Sequence, residues 1–199
     1  MASQHNLMSC QLYGRVDWVT DNGKELGMFM KGTNDSTLRC VVKGPETEKM
    51  LANHLAQKGM MLSAAGLLDA RCFRRADGTH TAELLCEASR LVVDEPYEGR
   101  LRGSVYANIK GIVHAWEDAR SLIRTFVKPP GNGPDVLVSL ALSNWLSRMT
   151  PESKARFLGA LRKGRGFTAT GQAEVGTFVA REGHRPVLQL APSHFQLQA

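Results

Sequence analysis

The chain has 199 residues, of which 43% are hydrophobic and 22% are charged, a composition typical of a globular protein that can bury a core. No stretch approaches the roughly 18 apolar residues that are needed to span a bilayer. The opening MASQHNLMSC has neither the cationic start nor the apolar run of a signal peptide. We therefore expect a soluble, cytoplasmic protein that does not act at a membrane.

The net charge of +6 is concentrated in the second half of the sequence. Residues 1–100 carry 12 Lys and Arg against 13 Asp and Glu, a net charge of −1, whereas residues 101–199 carry 13 against 6, a net charge of +7. Nine of the 13 cations in the second half are arginines, which suit phosphates and stacked bases better than lysines do. The charge distribution therefore favours a polyanionic partner.

The first half has the pattern of three strands, one helix and two strands. In chain order the segments are LMSCQLYGRVDWV, LGMFMKG, STLRCVVKG, GPETEKMLANHLAQKG, MLSAAGLLDARCF and HTAELLCEASRLVV. Residues 21–24, Asp-Asn-Gly-Lys, are typical of a hairpin turn, and Gly59 is expected to cap the C-terminal end of the helix. The apolar face of this helix is predicted to consist of Met50, Leu51, His54 and Leu55.

The second half repeats this order. Its segments are SVYANIKGIVHAW, SLIRTFVKPPGNGPDVLVSLAL, TPESKARFLGALRKG and FTATGQAEVGTFVAREGHRPVLQLA, with Thr150 as the predicted N-cap of the helix and Pro151 at its first position. The repeat is explicit at a constant offset of 105 residues, which relates Lys58, Gly59, Gly66, Phe73 and Leu85 to Lys163, Gly164, Gly171, Phe178 and Leu190. Such self-similarity indicates two copies of one structural unit.

Five short strands with a helix between the third and the fourth is the order of the OB-fold, a small Greek-key barrel. We therefore predict an all-β protein with one short helix per unit, built as two tandem five-stranded OB-fold barrels. The first unit should comprise residues 1–95 and the second residues 104–199. Residues 96–103, rich in Pro, Gly and charge, should form the linker.

The spacing of the repeated residues resembles that of the bacterial single-stranded DNA-binding protein family. In that family a helix ends in Lys-Gly or Arg-Gly, and a strand Gly and an aromatic residue follow at this spacing before an Asp/Gly turn. LRCVVKG and NGKELGMFMKGT also look similar to the family's third and second strands. The resemblance implies single-stranded DNA binding in replication, recombination or repair, and a homodimer that presents four OB-folds.

Two departures from the family's pattern affect what the resemblance implies. The tryptophan that usually precedes the two valines is Leu38 here, and the printed sequence ends at PSHFQLQA without the family's acidic tail. The missing tail argues against recruitment of partner enzymes, and we expect a protein of a phage, plasmid or mobile element rather than a housekeeping one.

Rings and cations together provide what a single-strand surface needs, because bases stack on rings and cations contact phosphates. The candidate rings are Phe73, Phe178, Trp18 and Trp116, whose alternative location is the core; Trp145 and Phe29 are expected in the core. The candidate cations are Arg15, Lys31, Arg39, Lys43, Arg71, Arg74, Arg75, Lys110, Arg120, Arg124, Lys128, Arg181 and Arg185, with solvated strand ends and hairpin tips as the alternative.

Neither an enzyme nor a bound cofactor is expected. The sequence has no GxxxxGK[ST] phosphate loop, no GxSxG elbow and no HExxH zinc pair, and no CxxC pair relates its four cysteines. We expect Cys10, Cys40, Cys72 and Cys86 to be reduced thiols buried on strands. Two other functions remain open on the sequence: a protein-interaction module of a primosome or recombination system, and an RNA binder.

Overall fold

The structure is a computed structural model and describes residues 7–20, 22–32, 36–96, 103–128 and 134–198. The first half contains strands β1 (Leu7–Arg15), β2 (Trp18–Val19), β3 (Leu26–Lys31) and β4 (Thr37–Lys43), helix α1 (Pro45–Ala52), and strands β5 (Met60–Arg74) and β6 (His80–Pro96). The second half contains β7 (Ser104–Ile112), β8 (Ala115–Glu117), β9 (Leu122–Val127), β10 (Val136–Ala141), helices α2 (Ser143–Leu146) and α3 (Pro151–Ala160), and strands β11 (Gly166–Ala180) and β12 (Gly183–Leu197).

The strands form one sheet whose order is β2-β3-β4-β6-β5-β1-β7-β11-β12-β10-β9-β8. Read outwards from its centre, each half of the sheet has the same order. At the centre β1 and β7 pair antiparallel, with Cys10 opposite Ala107, and these two residues are 97 positions apart, as are Gly14 and Gly111. The two halves are therefore related by an approximate two-fold axis that passes through the Cys10–Ala107 pair.

Alternation of side chains along the strands separates the core from the outer surface. In β1, Met8, Cys10 and Leu12 are buried while their neighbours are exposed. Since successive side chains of a strand point to opposite sides, each strand presents one row to the core and one to the outside. The core of the first unit contains Cys40 and Cys86, as well as Cys10.

The core of the second unit contains a cluster of aromatic rings, whereas that of the first unit contains the three cysteines. Phe167 stacks on Phe195 with ring centroids 5.4 Å apart, and Trp145 lies 4.9 Å from Phe157 and 5.5 Å from Phe195. The expectation that Trp145 packs against the core is therefore confirmed. Trp145 lies on α2, a short helix that has no counterpart in the sequence prediction.

Both main helices end earlier than their sequences predict. Helix α1 ends at Ala52 because the side-chain amide of Asn53 donates to the Lys49 carbonyl and His54 adopts a positive φ of 55°. His54 and Leu55 are therefore exposed rather than packed, and Gly59, with φ 95°, lies in the following turn. The predicted start of α3 is confirmed, since the Thr150 side chain accepts from the Ser153 N–H.

Further contacts join the two halves away from the central strands. The Gln172 side chain donates to the Lys31 carbonyl at 3.0 Å, and the Ser36 hydroxyl donates to the Glu174 carboxylate at 2.6 Å. The imidazoles of His80 and His184 stack with centroids 3.8 Å apart at 8°. Each lies at the start of the second strand of its unit's long hairpin, so the two hairpins meet at their tips.

The predicted order of strands and helix is present in both halves. The proposed unit boundaries at 1–95, 96–103 and 104–199 stay a prediction, because most of the linker lies outside the described residues, as do Asp21 and the PPGNG segment at 129–133. None of the helices in the described part of the chain has the length and apolar character that crossing a bilayer requires.

Candidate nucleic-acid interface

The outer surface of the first unit is built from side chains that lie opposite one another on four strands. The register pairs Phe29 with Arg39, Arg39 with Glu83, and Glu83 with Arg71. Directly paired residues of neighbouring strands share a side of the sheet. The residues Phe29, Arg39, Glu83 and Arg71 therefore form a continuous row across β3, β4, β6 and β5.

Two further rings, Trp18 and Phe73, lie beside this row, and together with the row they define what we name the first face. The Arg39 guanidinium carbon lies 4.7 Å from the ring centroid of Trp18 and 5.2 Å from that of Phe73. The rings of Trp18 and Phe29 are 5.1 Å apart. Trp18 lies directly over Gly27, where an added Cβ would come within 1.7 Å of the indole. Phe29 is 44% exposed, so its predicted place in the core was wrong.

The cations of the first face are held by carboxylates. The Glu83 side chain is only 2% exposed and accepts from Arg39 Nε at 3.2 Å and from Arg71 Nε at 2.6 Å. Arg71 also lies 3.9 Å from Glu25. A buried carboxylate between two half-exposed guanidiniums fixes both of them and neutralises part of their charge. The first face is therefore an ordered surface of modest net charge.

Beside this network, Arg15 pairs with Asp17 at 3.2 Å, and Asp17 also accepts from the Phe29 N–H at 2.6 Å. Burial raises the pKa of the Asp69 carboxyl, which lies in the next row across β5, although the Ala70 N–H donates to it. Most charged groups around the first face thus have a partner within the protein.

The outer surface of the second unit has the same positions but different residues. Across β9, β10, β12 and β11, the register pairs Phe126 with Leu137, Leu137 with Val187, and Val187 with Gly176. Leu137, Val187 and Gly176 therefore occupy the places of Arg39, Glu83 and Arg71. We name Phe126, Leu137, Val187 and the half-buried Phe178 the second face. It is apolar where the first face is charged.

Phe126 was missed by the sequence analysis although it is 41% exposed and lies 97 positions after Phe29. His114 contacts it edge-on, with ring centroids 5.1 Å apart. The sequence feature that could have identified Phe126 is the offset of 97 residues, which also relates Gly14 to Gly111. Phe73 and Phe178, by contrast, were selected from the sequence, and both lie on the outer row of their strands.

Trp116 does not join the second face. Trp18 pairs with Gly27 and Val19 with Leu26, whereas in the second unit Ala115 pairs with Arg124 and Trp116 with Ile123. Ala115 therefore takes the place of Trp18, and Trp116 takes that of Val19 and packs against the core. One residue of displacement places the side chain on the opposite side of the strand.

The remaining candidate cations are distributed over several places. Arg124 and Arg120 approach Glu117 at 2.7 and 4.0 Å, and Arg185 pairs with Glu182. Lys31 and Lys128 are exposed at the equivalent ends of β3 and β9, and Lys43 lies opposite Glu87. Arg74, Arg75 and Arg181 are exposed at the hairpin tips, and Lys110 is exposed on β7, away from both faces.

The cysteines lie apart from both faces, in and around the first unit's core. A hydrogen bond to Cys86 and burial raise the pKa of Cys10, and burial also raises the pKa of Cys40. Protonated, buried thiols react slowly. Within the described residues, no group of three or more His, Cys, Asp or Glu side chains is arranged to hold a metal ion.

Comparison with known proteins gives matches only at the level of structure. No family model and no curated protein sequence matches the chain. Its structure is similar to that of the single-stranded DNA-binding protein from Thermus aquaticus, with a TM-score of 0.50 and 16% identity over 98% of this chain and 94% of that chain. A deletion mutant of the same protein matches with a TM-score of 0.50 and 15% identity over 99% and 97% of the two chains.

The comparison covers nearly the whole of both chains, so it includes both units and their connection. The prediction of an all-β protein of two tandem OB-folds is confirmed: the chain has the fold of a two-OB single-stranded DNA-binding protein.

Proposed function

We propose that this protein binds single-stranded DNA without sequence preference, through the outer faces of its two OB units. The observation that carries the proposal is the presence of partly exposed rings at equivalent outer positions, Phe29 and Phe126 on the third strands and Phe73 and Phe178 on the long hairpins. Each base stacked on such a ring contributes roughly 1–3 kcal/mol, and any base can stack. The fold shared with the Thermus aquaticus protein supports the same conclusion.

Cations near the faces supply the second part of the binding. A phosphate that meets an arginine or lysine releases a bound counterion, so affinity falls as salt rises. The work of the protein is positioning and charge neutralisation, without a chemical step, and we propose that it is not an enzyme. A role in replication, recombination or repair would follow from coating exposed strands.

We also propose that two copies of the chain associate through the outside of the central strands. Tyr13 and Tyr106, both exposed, line a groove of about 570 Å³ together with Val92 and Arg90. Leu67 adds to the same exposed surface. Aromatic and aliphatic side chains on a broad sheet face are typical of a subunit interface. Sedimentation equilibrium should give a dimer, and Tyr106→Arg should shift it to monomer; a wild-type monomer at micromolar concentration would contradict this interface.

The binding proposal is tested by titrating the protein with oligo-dT while following tryptophan emission. Of the three tryptophans only Trp18 lies on a face, whereas Trp116 and Trp145 pack against the core. A variant with Trp116→Phe and Trp145→Phe therefore reports occupancy of the first face alone. We expect quenching by oligo-dT, little effect of duplex DNA, and log K that falls with log salt by about 0.7 per phosphate contacted.

Two outcomes would point elsewhere. An RNA oligomer that outcompetes oligo-dT of equal length would identify an RNA binder. If neither oligomer binds at low salt, by quenching or by anisotropy of a labelled strand, the single-strand proposal is wrong and the tandem OB-fold acts as a scaffold for proteins.

A further inference from the structure

Most of the positive charge of the second half lies on a segment outside the two faces. Residues 148–165, which run from the end of α2 through α3 to the start of β11, carry six cations and a single acid, Glu152, a net charge of +5. The whole of residues 101–199 has a net charge of +7. The six cations are Arg148, Lys154, Arg156, Arg162, Lys163 and Arg165, and we name them the basic helix surface.

The corresponding segment of the first unit is nearly neutral. At the offset of 105 it comprises residues 43–60, which carry Lys43, Lys49 and Lys58 against Glu46 and Glu48, a net charge of +1. The helix of an OB unit therefore does not need this charge in order to fold. The basic helix surface is a property of the second unit alone.

Among the residues that the structure describes, no carboxylate neutralises these cations. Five of the six are exposed and Arg165 is half-buried, and across the described residues no ion pair joins any of the six to a carboxylate. By contrast, Arg39, Arg71, Arg124 and Arg185 near the faces all have acidic partners. Cations without partners exchange small counterions for phosphates with no ion pair to break.

The basic helix surface is joined to the second face through Val113 and His114. The Val113 N–H donates to the Arg165 carbonyl and the Gly164 N–H donates to the Val113 carbonyl, both at 2.8 Å. The next residue, His114, donates its N–H to the Arg124 carbonyl at 2.9 Å and contacts the ring of Phe126. The C-terminal end of the segment is therefore adjacent to the exposed ring of the second face.

Two arginines at this junction have a donor without a partner. Arg124 Nε and Arg165 Nε are buried and make no hydrogen bond within the described part of the chain. Neither atom is open to solvent, so the phosphate contacts of the segment are its exposed cations rather than these two nitrogens.

We propose that the basic helix surface is a second binding site for the phosphate backbone of the same single strand, which leaves the second face at Phe126 and continues over α3. The inference rests on the proposed function. The one aromatic ring of the segment, Phe157, packs against Trp145 and Phe195, so no ring is offered to a base. Four of its six cations are arginines, whose planar donors match phosphate oxygens. The site contacts phosphates alone and has no base preference.

The test removes charge at three exposed positions of the surface and measures the salt dependence of binding. In the variant Arg156→Gln/Arg162→Gln/Lys163→Gln the slope of log K against log salt for oligo-dT should fall by about 2, from three contacts at about 0.7 each. The matched control, Lys24→Gln/Lys49→Gln/Lys58→Gln, removes three exposed cations from the first unit and should leave the slope unchanged. Phe126→Ala should lower K at every salt concentration without changing the slope.

Three results would overturn the inference. If wild-type protein binds oligo-dT and the helix variant shows the same slope of log K against log salt, the second site does not exist, whereas the proposed function is unaffected. An equal loss of slope in the control would show an effect of total charge only. Loss of poly-glutamate binding with oligo-dT binding unchanged would assign the surface to an acidic protein partner. If the helix variant fails to fold by circular dichroism, Arg148→Gln/Lys154→Gln tests the same surface with an expected fall of about 1.4.

Discussion

The two faces of this protein place different chemistry on the same four strands. On the first face Arg39, Glu83 and Arg71 form a charged row in which the arginines are bound to a buried carboxylate. On the second face the same row is Leu137, Val187 and Gly176. The charges of the first face are largely paired within the protein, whereas the second face is apolar and lies next to the basic helix surface. In this repeat the positions of two rings are kept, those of Phe29 and Phe73, while the third ring and the surrounding charge differ.

The largest expected effect concerns the rings. The double variant Phe126→Ala/Phe178→Ala should weaken oligo-dT binding by about 2–6 kcal/mol, roughly 30-fold or more, because two stacking surfaces are lost. Phe29→Ala/Phe73→Ala should cost less, roughly 1–3 kcal/mol, because Trp18 and Arg39 already cover part of those rings. Anisotropy of a labelled oligomer measures both.

A matched control for this comparison is Val179→Ala. Val179 is exposed and adjacent to Phe178, on the other side of the strand, so its loss should leave affinity unchanged. Equal losses from the two ring pairs would show that the faces are equivalent and that the Arg39 contact is irrelevant to binding.

Substitutions at the equivalent positions Glu83 and Val187 should change the charge of the two faces in opposite directions. In Glu83→Gln the two arginines lose their carboxylate, so the salt slope should steepen by up to about 1.4, from two contacts at about 0.7 each. The same change should lower the free energy of unfolding by roughly 1–3 kcal/mol, since hydrogen bonds to a charged group are lost. Val187→Glu places a carboxylate where no arginine lies opposite and should weaken binding, most strongly at low salt. A slope unaltered by Glu83→Gln would exclude Arg39 and Arg71 as phosphate contacts.

The smallest expected effect is at the hairpin tips. Partial desolvation, and then the positive charges of His184 and Arg74, lower the pKa of His80 from the ordinary value of 6.5. The unfolded chain therefore binds this proton more readily than the folded one, so the stability of the tip contact is complete above pH 6.5 and is lost as pH falls through the lowered folded pKa. The protection factors of the hairpin amides, which are corrected for the intrinsic pH dependence of exchange, should be lower at pH 5 than at pH 7.5. His184→Gln should reduce this difference and His194→Gln should not.

The sequence predicted the fold well because glycines and turn residues recur at fixed spacing in both halves. The prediction was wrong where a shift of one residue determines which side of the sheet a side chain faces. The second hairpin has a two-residue turn at Arg181 and Glu182, shorter than the first hairpin's turn, so Leu190 occupies the place of Cys86 rather than that of Leu85. The offset of 105 therefore holds along β5 and β11 and becomes 104 along β6 and β12.

The candidate site was harder to predict for related reasons. Phe29 lies in the apolar run Leu-Gly-Met-Phe-Met, which shows no alternation that would identify its exposed side. Glu83 is an acid in the middle of an apolar strand, and its role depends on two arginines from other strands that only the register brings together. The charges of the basic helix surface are visible in the sequence, but the segment is not a strand and has no exposed ring, so the pattern of rings and cations on strands does not identify it.

The antiparallel pairing of β1 and β7 has a consequence for the direction of a bound strand. A two-fold axis at the Cys10–Ala107 pair reverses any track that crosses it at right angles, so equivalent tracks over the two units run in opposite senses. DNA has 5′ and 3′ ends and is not symmetric under this reversal. A strand that meets both units with the same chemical polarity must turn back on itself between them, and the shortest oligomer that engages both must include the nucleotides of that turn.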